Sequence, residues 1–194
     1  MGKNLAIQIH RLSNLLDLSL MCWEKQHNAP DIRGENTLEI LILKLHSLNF
    51  EIWHLEEQLR GKDIELSEIE RVLRRTERLN SQRNKMIESI DMEICGRLQK
   101  TKGSAKRKYP NSESLGQIID RLSIITLQIF HNELVLKKLK SRHQATAVEN
   151  RLLYFQALRE HLFNCFDKYE RSVLEKDYNM IQFRAYKIWS SHRS

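Results

Sequence analysis

Two prolines and six glycines in 194 residues leave few positions at which a helix must break. Phosphate-cradling glycine loops are absent, as are the Gly-x-Ser-x-Gly turn of hydrolases and paired Cys-x-x-Cys zinc spacing. The three cysteines, Cys22, Cys95 and Cys165, are odd in number and far apart. That excludes a disulfide framework and reads as reduced thiols in a cytoplasmic protein. No apolar run approaches the roughly 18 residues that cross a bilayer. His10 and Arg11 interrupt the first apolar pattern, so no signal peptide is expected, and Ala6 stands where myristoylation wants Ser or Thr.

What remains is charge and helical periodicity. Lys and Arg number 32 against 25 Asp and Glu, a net +7 with pI near 9.4. Both signs are interspersed, which describes a mixed surface with a basic bias and favours an anionic partner over a cationic one.

Leu5, Ile9, Leu12, Leu16, Leu20 and Trp23 predict an amphipathic helix over 4–26, followed by a loop at 28–36. Asn36 with Glu39 opens a second helix, 37–60, whose seam is Leu38, Leu41, Leu45, Leu48, Ile52, Leu55 and Leu59. Beside it runs a second line, His46, Asn49, Trp53, Glu56 and Arg60, and Gly61 ends the helix. The pair Ser67 and Glu70 predicts a capping box for a helix over 68–98. Its stripe of Ile69, Val72, Leu73, Leu79, Met86, Ile90 and Ile94 is interrupted by Thr76 and Arg83. Residues 100–113 read as a basic flexible linker. Ser114 with Gln117 then opens a helix over 114–141, and Thr146 with Glu149 one over 147–175. The aromatic tail 178–189 is expected to form a short helix or a strap. The whole is one all-α domain over 1–194, an up-and-down bundle of four long helices with the N-terminal helix added.

Three kinds of chemistry can be weighed. A carboxylate-bridged metal pair wants Glu-x-x-His on two helices, a spacing met by Glu24 with His27 and by Glu51 with His54. Glu51 lies opposite the leucine seam, so no metal and no cofactor is expected. Cys95 and Cys165 sit near apolar stripes and read as small core hydrophobes rather than nucleophiles. The third candidate is the charged cluster. A guanidinium at Arg83 inside an apolar stripe needs a partner, and Asp120 on the following helix is the one expected. Should Trp53, Glu56, Glu57, Arg60, Asn80, Arg83, Asn84, Asp120 and Arg121 converge, they form a polar pocket with an aromatic wall. Its arginines would suit an anionic small molecule; the alternative is a satisfied network that sets helix register. Glu57 or Asp120 would be the acid–base group of an enzyme. The basic loop at Lys100, Lys102, Lys106, Arg107 and Lys108 would be the contact for an anionic surface, though no nucleic-acid motif accompanies it.

These segments also resemble a bacterial family of helical proteins of about this length, known only as a domain of unknown function. Trp53, Glu56 and Arg60 match its Trp-x-x-Glu-Asp-x-x-Arg element, with Glu57 in place of Asp. Asn80, Arg83, Asn84, Glu88 and Asp91 match Asn-Gln-x-Arg-Asn-Asp-x-Ile-Glu-x-Ile-Asp, where Lys85 reverses one charge. Asp120, Arg121, Leu122, Ser123 and Ile124 match Ile-Asp-Arg-Leu-Ser-Ile, and the tail around Tyr186 resembles its ending. The resemblance implies cytosolic proteins, sometimes encoded beside sugar-transfer enzymes for surface glycans, with no established activity. The expected function is therefore a binding or accessory protein, with an anionic small molecule, a protein partner or a second copy as its partner.

Overall fold

A computed structural model describes residues 7–26, 32–61, 64–98, 107–108 and 112–184. Five helices account for most of them: α1 (Ile9–Gln26), α2 (Thr37–Gln58), α3 (Leu66–Leu98), α4 (Leu115–Lys138) and α5 (Arg142–Leu174). The fold is all-α, with packing consistent with a bundle. Helices α2 and α3 form one antiparallel hairpin and α4 and α5 another. α1 lies across α2 and α4, its Leu12, Leu16, Leu20 and Trp23 all but lost to solvent. Burying such side chains gains about 1.5–3 kcal/mol each, enough to hold a helix of this length in place.

The main core draws on all five helices, with Ile42, Leu45, Ile90, Ile94, Ile118, Leu122 and Phe166 at its centre. The far end of the α2/α3 hairpin has a separate core of Ile52, Leu55, Val72 and Leu79, flanked by Leu48 and Leu59, with nothing from α4 or α5. Beyond the level of Trp53, α2 and α3 therefore lean on each other rather than on the second hairpin.

The helix starts show which local signals were sufficient. Asn36 caps α2, its side-chain oxygen accepting from the amides of Leu38 and Glu39. Ser114 and Gln117 form the full reciprocal capping box on α4. The other two boxes are corrected. α3 begins at Leu66, with the Glu65 carbonyl as first acceptor, so Ser67 lies inside the first turn. α5 begins at Arg142, five residues ahead of the expected 147, and the Thr146 hydroxyl donates to the Arg142 carbonyl within the helix. No breaker stands between 142 and 147, so the helix propagates back to the short turn after α4. Leu73 is a further correction: it is 57% exposed, and Val72 takes the inward position against α2.

After α5 the chain turns through Lys176, at a positive φ of 60°, and becomes extended. Tyr178–Asn179 pairs in parallel with Arg107–Lys108 over two residues. The Ile181 amide then donates to the Tyr169 hydroxyl at 2.7 Å and the Phe183 amide to Asp91 at 2.8 Å. The tail is thus a strap, tied to α5 and α3, as far as Arg184, which pairs with Glu88. The rest of the expected strap, including Tyr186, and most of the basic loop at 100–113 lie outside the described residues.

Asp91 is the anchor of this end. Its other oxygen accepts from the Gly116 amide at 2.7 Å, tying α3 to the first turn of α4. Burial pushes its carboxyl up, against the hydrogen bonds from Ser114, Phe183 and Gly116. A Cβ at Gly116 would stand 2.8 Å from the Ile87 carbonyl and 2.9 Å from the Asp91 carboxylate. Neither can retreat cheaply, so Gly116→Ala is expected to cost about 1–3 kcal/mol in urea unfolding. A wild-type midpoint for that variant would refute the close approach of α3 and α4.

Candidate functional site

The polar line of α2 faces α4 and α3. His46 is fully buried, and its Nδ1 lies 2.7 Å from the Ser123 hydroxyl. The Asn49 amide donates both to Ser123 at 2.9 Å and to Asp120 at 3.1 Å. Asp120, only 5% exposed, accepts twice from Arg83: from Nε at 2.8 Å and from Nη2 at 2.6 Å. Nη1 of Arg83 reaches the Asn80 side-chain oxygen at 3.4 Å. One chain of bonds therefore runs from His46 through Ser123, Asn49, Asp120 and Arg83 to Asn80, joining three helices.

Electrostatics follow from burial. The imidazole of His46 is held at about 3 by its removal from water, which the Leu16 carbonyl only partly offsets, so it is neutral at pH 7. The bidentate bond to Asp120 keeps Arg83 charged more firmly than in water, outweighing the effect of its burial. Ser123 beside His46 has the look of an activated nucleophile. Yet Ser123 is wholly buried, and the two cavities flanking α1 do not reach it. Asp120 likewise has both oxygens engaged inside the protein, by Asn49 and Arg83.

One turn further along α2 the network gives way to rings. Trp53 stacks on His131 of α4, centroids 4.7 Å apart and planes within 5°. Arg60 sits over the indole at 5.8 Å. His54 meets His131 edge-on at 5.4 Å and approaches Glu24 of α1 at 4.0 Å. Burial lowers the basicity of His131, and the nearby His54 lowers it further, against the pull of Glu57 and Glu24. Among the described residues, neither the Trp53 indole N–H nor Nε2 of His131 has a hydrogen-bond partner, although both atoms are buried. A buried polar group left in this state costs about 1–3 kcal/mol.

The structure thus brings Asn80, Arg83 and Asp120 into direct contact and sets Arg60 against Trp53, one turn beyond Asn49 on α2. Glu56 is exposed but close enough to Arg83 to favour its charge. Glu57 is exposed and Asn84 half-buried. Arg121 departs from the expected cluster: it is exposed and pairs with Glu113, one turn before α4. On a helix, the residue after a buried Asp120 points some 100° away, which explains the separation. Of the two Glu-x-x-His spacings, only Glu24 and His54 approach each other, at 4.0 Å, among the described residues. Glu51 pairs with Arg75 on α3, His27 is outside the described residues, and among those described no three His, Cys, Asp or Glu are placed to hold a metal.

Sequence reasoning missed Ser123 and His131 as members. Ser123 follows Asp120 by three residues and so shares its face, a signal that was available. His131 could be placed only once the register of α4 against α2 was known.

Two cavities lie elsewhere, one on each side of α1. One, of about 660 Å³, is floored by Leu15, Trp23 and Leu43; the other, of about 730 Å³, by Leu20, Ile129 and Phe163. Among the described residues no helix is long and apolar enough to cross a membrane.

No curated protein and no solved structure is matched by this chain. Residues 39–180, which span α2 to the strap and carry every member of the network, match the family described as "Protein of unknown function (DUF4254)", and the chain belongs to that family.

Proposed function

We propose that the protein is a non-catalytic binding or accessory module that holds a small anion where its two hairpins part company. The observation that carries this reading is the pair of buried, unpartnered nitrogens on Trp53 and His131, with the Arg60 guanidinium over the Trp53 ring. The network from His46 to Asp120 is buried between three helices and acts as the structural floor, while the rings and Arg60 above it supply recognition. The acid–base alternative finds no support, since Asp120 is sealed and Glu57 faces water. The surface-glycan setting implied by the resemblance suits a phosphorylated or carboxylated sugar as the anion.

The test is thermal unfolding with inorganic phosphate, pyrophosphate and citrate as probes, comparing wild type with Arg60→Met. Arg60 is exposed, so its loss leaves the fold intact. At a ligand concentration 100-fold above Kd the wild type should gain about 2.7 kcal/mol, or roughly 5 °C or more in Tm. The variant should gain little. Equal gains in the two proteins, or no gain in the wild type with any probe, would overturn the proposal.

A further inference from the structure

The turn between α4 and α5 carries a concentration of positive charge that the fold does not use. From Leu134 to Val148 the chain holds Lys137, Lys138, Lys140, Arg142 and His143 and no Asp or Glu. All five basic side chains are exposed. Several arginines elsewhere are paired within the fold: Arg11, Arg71, Arg74, Arg83, Arg97 and Arg159 each meet a carboxylate. Among the described residues, none of the five at this turn takes part in an ion pair.

Helix electrostatics account for only two of them. Lys137 and Lys138 in the last turn of α4 complement its dipole. Arg142 opens α5, where positive charge opposes the dipole, and no acidic residue stands in that turn. The Ser141 side chain makes no capping bond either. The start of α5 therefore carries a cation that its own helix does not favour.

We infer that the α4–α5 apex is a polybasic contact for an anionic lipid surface. Clusters of four or more Lys and Arg draw a protein to such a surface by diffuse attraction, at about 1 kcal/mol per charge. The apex also carries Val135, 46% exposed, and the half-buried Leu139, apolar groups able to enter the headgroup boundary. Nucleic acid fits less well. No aromatic residue lies between 134 and 148 to stack on a base, and Lys predominates over the Arg that reads phosphate bidentately. The contact is independent of the Trp53 site.

Cosedimentation of the full chain with phosphatidylglycerol–phosphatidylcholine vesicles tests this, with pure phosphatidylcholine vesicles as control. The wild type should partition onto the anionic vesicles at low salt, lose that binding steeply as salt rises, and ignore the neutral ones. Lys137→Glu/Lys138→Glu/Lys140→Glu should lower the partition coefficient by about a hundredfold or more, since three favourable charges are reversed. Its circular dichroism and Tm should match the wild type. Lys44→Glu/Lys85→Glu/Lys168→Glu, which changes net charge equally at exposed positions elsewhere, should retain most of the binding. The proposal is overturned if both triple variants lose binding alike, if the apex variant binds as the wild type does, or if the wild type ignores anionic vesicles. It is also overturned if a short DNA duplex displaces the protein from the vesicles, which would assign the apex to nucleic acid.

Discussion

Arg83→Met is expected to destabilise the protein by about 3–5 kcal/mol, the range for removing one partner of a buried ion pair. The reason is asymmetry of burial. The Arg83 side chain is 26% exposed and that of Asp120 only 7%. Without the guanidinium, the carboxylate keeps a single hydrogen bond from Asn49 in a setting closed to water. Asp120→Leu should cost less, because a freed Arg83 can swing outward to solvent and toward Glu56, while Asn49 retains Ser123. The double variant Arg83→Met/Asp120→Leu should recover most of the loss, since an apolar pair of similar volume carries no desolvation cost. Urea unfolding of the four proteins, followed by far-UV circular dichroism, gives the coupling directly. An Arg83→Met penalty within about 0.5 kcal/mol of zero, typical of a surface change, would show that the pair contributes nothing to the fold.

Acid should weaken the fold through His46 before most carboxylates are protonated. The direction follows from linkage. Folded His46 holds its proton only near pH 3, whereas the unfolded chain does so near 6.5. Its neutral form thus stabilises fully above about 6.5, and that contribution is lost as pH falls toward 3. The slope is about 1.4 kcal/mol per pH unit while only the unfolded state is protonated. Burial drives His131 the same way, whereas Asp91, pushed up by burial, contributes in the opposite direction as its carboxyl ionises. These overlapping contributions are removed by comparing wild type with His46→Leu across the pH series. Leu at that position deprives Ser123 of the imidazole but leaves it the Asn49 bond. The variant carries a constant offset, and only the change in slope is diagnostic. Parallel stability curves would mean that His46 does not titrate differently in the two states.

How far this was readable beforehand depended on what kind of signal each part left. Helices with a three-four apolar spacing declared themselves, and Asn36 and Ser114 marked true starts because each side chain accepts from amides of the first turn. Thr146 failed as a marker because a helix already running needs no cap, and a Thr inside it bonds the carbonyl four residues back. Arg83 with Asp120 was legible because a charge within an apolar stripe must be answered from another helix. The partnership of Trp53 with His131 was not. It depends on the axial offset of α2 against α4, which a single chain does not encode locally. Arg121 was misplaced for a related reason: on a helix the next residue in sequence turns some 100° away from a buried neighbour.

The divided core has a mechanical corollary. Because Ile52, Leu55, Val72 and Leu79 form a raft of their own, the far ends of α2 and α3 can tilt as a unit without opening the main core. The Arg83–Asp120 clasp stands near the fulcrum of that tilt. From Arg83 to the start of α3 the lever is about 25 Å, so a rotation of roughly 10° would swing its end through some 4 Å.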